Sequence, residues 1–127
     1  MTVNGLKIIS DAMDALGLNY DFGEYKGEVI PEMYFEGEYQ EVAPMHETGE
    51  QETDFILVGF TRGLWLDLEE AKEKIMNYFN KVSGKTVIAE DGSAVAVFYS
   101  NSFVVPTGDA EWKRIEIHLT VKDWSVN

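Results

Sequence analysis

The chain has 127 residues and a formal net charge of −13, with 45% hydrophobic residues, 13% aromatic residues and no cysteine. This length and apolar content suffice for one hydrophobic core, so we expect a single folded domain over residues 1–127 despite the charge. The composition excludes disulfides, thiolate catalysis and cysteine-based metal sites, and without an 18-residue apolar run we expect no membrane-spanning segment.

Helical spacing marks the beginning of the chain. Apolar residues recur at intervals of three and four over residues 2–16, which predicts an amphipathic helix that ends at Gly17. Residues 18–29 mix aromatic residues with two glycines, and we interpret them as a connector with room for a short edge strand.

A long hairpin follows this connector. Residues 32–41 alternate in polarity, which predicts a strand with one buried face. Residues 43–52 form a ten-residue polar loop, and loops of this length are usually functional or disordered. The apolar run over residues 55–60 is typical of a central strand covered on both faces.

A second amphipathic helix is predicted over residues 67–82. Asp67 is the expected N-cap, with Glu70 as its capping-box partner. Leu66 is placed to pack against Ala71 as a hydrophobic staple.

The last third of the chain is rich in strand patterns. We predict strands over residues 86–89, 94–99, 103–105 and 113–122, with a turn at residues 100–102. In the last strand, Ile115, Ile117, Leu119 and Val121 are expected to face inward. The element order predicts an α+β fold: a mostly antiparallel twisted sheet with two amphipathic helices packed on one face and a long β-hairpin.

The acidic charge is concentrated in the hairpin and its approach. Residues 18–54 contain eleven acidic residues and one lysine, whereas residues 55–127 contain ten acidic and eight basic residues. A negative field repels phosphate groups, so we expect no direct nucleic-acid binding. A solvated acidic face that only aids solubility is the simpler alternative.

Residues with catalytic or metal-binding chemistry are few. His118 is two residues from Glu116 on the polar face of a predicted strand, as is typical of a hydrogen-bonded surface histidine. His46 lies among loop acids, but the spacing matches neither an EF-hand nor a His-x-x-x-His site. We therefore expect no enzymatic activity, no cofactor and no metal site.

The long loop and two tryptophans are the candidate interaction sites. Trp112 and Trp124 share the outward parity of the last strand, so they either contact a partner or are covered by another part of the chain. The candidate interaction residues are Met45, His46, Glu47, Glu50, Trp112 and Trp124.

Five segments in order carry a family resemblance. They are GLKIISDAMDAL (5–16), IPEMYFEGEYQEV (30–42), DFILVGFTRG (54–63), DLEEAKEKIMNYF (67–79) and KRIEIHLTVKDW (113–124). In order and spacing this pattern resembles the tail-terminator and tail-completion proteins of long-tailed bacteriophages and prophages, which are minor structural proteins of the virion.

The resemblance implies a non-enzymatic tail terminator or head-tail joining subunit that assembles with its own copies into a ring, often a hexamer. It also implies contacts with other tail or head-tail connector proteins, and a location in the cytoplasm during assembly and then in the virion. The long hairpin would extend toward a neighbouring subunit or the tail tube.

Two other functions fit the residues. An acidic DNA mimic would bind a basic DNA-binding protein through the acids of residues 21–54, provided that they are regularly spaced on one exposed face. A small regulatory or ligand-binding domain would require an apolar pocket between the sheet and the helices.

Overall fold

The computed structural model describes residues 1–42 and 50–125, which form two helices and a six-stranded sheet. The elements are α1 (Val3–Ala15), β1 (Tyr20–Phe22), β2 (Met33–Glu41), β3 (Glu50–Thr61), α2 (Trp65–Tyr78), β4 (Lys85–Ile88), β5 (Ala94–Val105) and β6 (Lys113–Trp124). The predicted α+β class is confirmed.

The sheet has the strand order β1-β2-β3-β6-β5-β4. β1 runs parallel to β2, and every other neighbouring pair is antiparallel. The central strands β3 and β6 pair along their whole length, from Glu50 opposite Trp124 to Thr61 opposite Lys113. The hydrophobic alternation along β6 therefore decides which residues of its neighbours share its buried face.

Both helices pack on the same face of this sheet, which we call the helix face. The inward residues predicted for β6 are buried there, and one hydrophobic cluster joins them to Ile9 and Met13 of α1 and to Leu68 and Ile75 of α2. The opposite face, which we call the open face, carries the alternate residues of each strand, such as Tyr34, Asp54 and His118.

α1 begins and ends as its sequence predicts. The Thr2 hydroxyl accepts a hydrogen bond from the Gly5 amide (3.2 Å), which caps the first turn. The same hydroxyl donates to the buried carboxylate of Asp123 at the end of β6 (2.6 Å). Gly17 has a φ of 70°, which lets the chain leave the helix in the left-handed region.

α2 begins two residues earlier than predicted. Its N-cap is Leu64, and Asp67 lies inside the first turn, where its carboxylate accepts a hydrogen bond from the Leu64 amide (3.2 Å). The staple prediction is wrong because Leu66 is 59% exposed. The carboxylate still lies at the helix N-terminus, where the helix dipole favours a negative charge.

α2 also ends four residues earlier than predicted. Phe79 leaves helical geometry with φ −103° and ψ 70°, and its side chain is fully buried. Its carbonyl accepts a hydrogen bond from the Tyr99 amide (2.7 Å), which ties the helix end to β5. Val82, counted in the apolar stripe of the predicted helix, is 90% exposed beyond this anchor.

The predicted coverage of the second hairpin strand is confirmed on one face and only in part on the other. Phe55 and Leu57 are fully buried on the helix face. On the open face Val58 is buried, but Ile56 and Phe60 are only partly buried. The predicted loop is also shorter than expected, because residues 50–52 already belong to β3. Residues 43–49 lie outside the described part of the chain.

The predicted turn at residues 100–102 is a β-bulge inside one continuous strand. β5 pairs with β6 from Ala94 to Val105, and the register shifts between Tyr99 and Asn101. The bulge accommodates one extra residue, Ser100, without ending the pairing. The Tyr99 and Ser102 hydroxyls lie 2.8 Å apart across it.

Candidate interaction surface

One end of the open face gathers aromatic and arginine side chains. The strand register places Tyr34 of β2 opposite Phe60 of β3, and Phe60 opposite Arg114 of β6. The chain enters β6 at Trp112, beside this row. We define the aromatic-arginine patch as Tyr25, Tyr34, Phe60, Arg62, Trp112 and Arg114.

The rings of this patch are in mutual contact. The Tyr34 and Phe60 rings stack with centroids 5.2 Å apart, and Trp112 meets them edge-on at 5.9 Å and 6.5 Å. Tyr25 lies 5.2 Å from Tyr34. Edge-on and offset contacts of this kind each add roughly 0.5–1.5 kcal/mol beyond burial, so the rings hold one another in place without a covering helix.

Both arginines of the chain belong to the patch. The Arg62 guanidinium carbon lies 5.2 Å from the centre of the Trp112 ring, and that of Arg114 lies 5.8 Å from the Phe60 ring. Arg114 also forms an ion pair with Glu116 (2.8 Å). Arg62 is exposed, and its second contact is a hydrogen bond to the Ile30 carbonyl (3.3 Å).

The backbone around Trp112 is also fixed. The Thr107 hydroxyl donates a hydrogen bond to the Trp112 carbonyl (2.9 Å), which closes the segment between β5 and β6. Burial, and then the negative charge of Glu36, raise the pKa of Tyr34 above its ordinary value.

The residue types of the patch are those that contribute most to binding at protein-protein interfaces. Tryptophan, tyrosine and arginine dominate binding energy at interfaces because they combine large apolar area with a polar or charged end. The two guanidinium groups also place positive charge on a strongly acidic chain. The patch is therefore suited to contact with a protein surface.

Only one of the two candidate tryptophans belongs to the patch. Trp112 precedes the first residue of β6 and Trp124 is its last, so the two are twelve positions apart, which corresponds to about 40 Å along the strand. Trp124 is partly buried on the open face, in register with Glu50 and Ala94. Two of the candidate residues, Glu50 and Trp124, are thus neighbours at the far end.

The remaining candidates, Met45, His46 and Glu47, lie outside the described residues. In contrast, no sequence pattern marked Tyr34, Phe60, Arg62 or Arg114 as interaction residues. Phe60 lies in the apolar run that was predicted to be covered on both faces, so its outward position was not visible in the sequence. The register that brings these residues together is a tertiary feature that the pattern does not contain.

His118 lies in a polar cluster in the middle of the open face. Its Nδ1 is 3.0 Å from an Asp54 carboxylate oxygen, its Nε2 is 3.6 Å from Glu116, and Phe103 stacks on its ring at 5.4 Å. The histidine is hydrogen-bonded, as expected, but its closer partner is Asp54 on the neighbouring strand. Among residues 1–42 and 50–125, no group of three or more acidic or histidine side chains is arranged to hold a metal ion.

A groove between α1 and β4–β5 is relevant to a ligand-binding function. It has a volume of about 270 Å³, and Ile8, Val87 and Val95 line it together with charged residues of α1. A second groove, between α1 and β1 and lined by Leu6 and Phe22, has a volume of about 380 Å³. The two volumes lie near the lower end of the range of roughly 300–1,000 Å³ that small-molecule sites usually have. Neither described helix is long and apolar enough to cross a bilayer.

The fold is similar to that of a chain in a solved structure entitled "Virion of native gene transfer agent (GTA) particle". The TM-score is 0.69, and the match covers 96% of this chain and 90% of that chain at 10% sequence identity. At this identity the likeness shows a shared fold. The sequence matches no protein-family model and no curated protein.

Proposed function

We propose that this protein is a non-enzymatic structural protein of a phage or prophage virion, a tail terminator or head-tail joining subunit that forms a ring from its own copies. The observation that carries the proposal is the shared fold with a chain of a gene transfer agent virion over almost the full length of both chains. The five segments that resemble tail-terminator proteins support the same assignment.

The distribution of charge supports assembly with other proteins. Copies of a chain with a net charge of −13 repel one another, so their contacts should not place two acidic surfaces against each other. In the aromatic-arginine patch the two guanidinium groups offset the neighbouring carboxylates of Glu36 and Glu116, so the patch can meet an acidic surface of a second copy. An acidic surface facing a ring lumen would not hold passing DNA.

The expected partners are further copies of this chain and other tail or head-tail connector proteins. A ring of six copies is the arrangement that the resemblance favours. In this proposal the protein binds neither nucleic acid nor a membrane, and it moves from the cytoplasm into the virion as assembly proceeds.

The mass of the protein in solution tests the proposal. Light scattering from about 1 μM to about 1 mM, a range that spans binding free energies of roughly 8 to 4 kcal/mol, should give masses that are multiples of the 14.4 kDa chain. A strict monomer throughout this range would contradict ring assembly.

The variant Trp112→Ala tests whether the patch forms the contact. We expect its association to weaken by a factor of about 30, which corresponds to a hot-spot loss of about 2 kcal/mol. Trp65→Ala is the matched control, because Trp65 is 40% exposed on α2 and lies outside the patch. Equal association of both variants would exclude the patch as the contact.

The DNA-mimic alternative is supported by one feature of β3. Glu50, Glu52 and Asp54 occupy alternate positions on the open face, about 7 Å apart. However, Lys122 is in register with Glu52, and His118 contacts Asp54, so neighbouring strands partly neutralise this row. A monomer that captures a basic DNA-binding protein only at low salt would favour the mimic over the virion protein.

A further inference from the structure

The outer edge of β5 is only partly paired. β4 pairs with residues Ala94–Val97, and the Tyr99 amide is bonded to the end of α2. Beyond this point, no strand among the described residues pairs with the outer side of Ser100–Val105. This half of β5 therefore presents free backbone donors and acceptors at the edge of the sheet.

This free edge carries no charge that would oppose pairing. Exposed edges are generally protected by charges, bulges or proline, by being very short, or by a covering segment. No charged residue occurs from Ala94 to Gly108, although charged residues make up 26% of the chain. Phe103 and Val104, on successive positions of the edge, are 49% and 48% exposed. The bulge at Ser100 and Pro106 limit the edge to the residues between them, and no charged side chain there opposes the addition of another strand.

A second free edge lies on the opposite side of the sheet. β1 pairs only with Phe35–Gly37, so the outer side of Glu38–Glu41 in β2 has no strand partner among the described residues. This edge is acidic, and Tyr39 within it is 41% exposed. The two free edges have similar lengths of six and four residues.

We propose that the free edge of β5 in one copy pairs with the free edge of β2 in the next copy, so that the sheet continues from subunit to subunit. This inference rests on the proposed ring-forming function and names the surfaces that close the ring. A contact between two different edges is head-to-tail and generates a ring where the rotation between copies closes, whereas β5 paired with itself would give a two-fold dimer.

The charges beside the two edges are complementary. Lys81 and Lys122 line the groove next to Phe98, Tyr99 and Ser100, and Glu52 of the same groove offsets one of these two charges. The β2 edge brings the exposed carboxylate of Glu38 to its partner, whereas the carboxylate of Glu41 is paired with the N-terminal ammonium group of Met1 (2.6 Å). In a chain with this excess of acid, lysines beside the uncharged edge favour an acidic strand of a second copy. The negative charge of the β2 edge would oppose its pairing with another β2 edge.

The first test compares two valine-to-lysine variants. Val104→Lys places a charge on the free edge, and we expect it to weaken association at least about 10-fold, since edge lysines block strand addition. Val82→Lys adds the same charge at a site that is 90% exposed and off the edge, so its association should change less than about twofold. Circular dichroism of both variants checks that they fold.

The second test uses the absence of cysteine from the chain. Asn101→Cys in β5 and Gln40→Cys in β2 are both exposed positions on the open face. A mixture of the two single variants, treated with a thiol cross-linker of about 8 Å, should give a mixed dimer, because paired strands bring such positions within that distance. Each variant treated alone should give little cross-linked dimer.

The outcomes separate this inference from the function on which it rests. An oligomer that Val104→Lys leaves intact, or that gives no mixed cross-link, overturns the edge contact and leaves ring assembly standing. Asn101→Cys cross-linked to itself indicates a two-fold β5 contact and also overturns the inference. A strict monomer at all concentrations overturns both.

Discussion

The helix face and the open face are built from the same strands but are held together in different ways. On the helix face, Phe55, Leu57 and Ile117 are fully buried against two helices. On the open face, Phe60 and Trp112 are ordered by ring contacts and by Arg62 and Arg114, and they remain partly exposed.

Within one sheet, the residues of the helix face therefore determine the stability of the fold, and those of the open face are available for binding. A side chain on the helix face cannot change without leaving a cavity or a clash, because protein interiors are close-packed. Side chains on the open face contact each other and solvent, so their replacement should change binding more than folding. Three experiments test this difference between the two faces.

The largest effect should follow a truncation on the helix face. Phe55→Ala removes a fully buried ring, and we expect it to destabilise the fold by about 3–5 kcal/mol through lost burial and a residual cavity. Phe103→Ala is the matched control, since that ring is 49% exposed on the open face, and it should cost less than about 1 kcal/mol. Urea denaturation measures both. Equal losses would show that the open face also carries the fold.

An intermediate effect should follow the addition of one methyl group between β2 and β6. A Cβ at Gly59 would lie 2.5 Å from Phe35 Cε1 and 3.0 Å from Ile115 Cγ2, so Gly59→Ala should cost about 1–3 kcal/mol by overpacking. At Gly5 in α1 the nearest atom is the flexible end of Met1, at 3.2 Å.

Gly5→Ala is therefore the control for this substitution. The gain in helix propensity, up to about 1 kcal/mol, should leave its stability unchanged or raised. Thermal unfolding of the two variants distinguishes the sites. A Gly59→Ala protein as stable as the unmodified chain would mean that the helix face can relax around an added methyl group and is not close-packed at this position.

The smallest effect concerns alkaline pH. Burial, and then the charge of Asp21, raise the pKa of Tyr20, whose hydroxyl is buried without a hydrogen-bond partner beside the helix face. Above the ordinary tyrosine pKa of about 10, the unfolded chain loses this proton while the folded chain keeps it. Stability should therefore fall as pH rises above about 10 and should be independent of this group below that value.

Tyr20→Phe should reduce this loss, because the variant has no proton to release at that position. Urea midpoints at about pH 8, 10 and 11, on both sides of the ordinary tyrosine pKa, measure the slope. The same slope in the variant and the unmodified chain would assign the alkaline loss to other residues.

The sequence predicted the features that depend on local periodicity. The structure reproduces two local patterns. One is the alternation of polar and apolar residues along β6, and the other is the apolar stripe of α1 with the end of the helix at Gly17. The early end of α2 was not predictable in this way, since it depends on the bond between the Phe79 carbonyl and the Tyr99 amide, twenty residues away in the chain. The aromatic-arginine patch likewise depends on the register of three strands.

The central pairing of β3 with β6 has a consequence for the time that folding takes. The β2–β3 and β5–β6 hairpins can each form from nearby residues, but Leu57 must find Ile117, sixty positions further along. Closing a loop of this length costs entropy before any contact is gained, so folding should be limited by this single step and take milliseconds to seconds. During that interval the uncharged segment of β5 is open to pairing with other unfolded chains, and newly synthesised protein is then at its most vulnerable to aggregation.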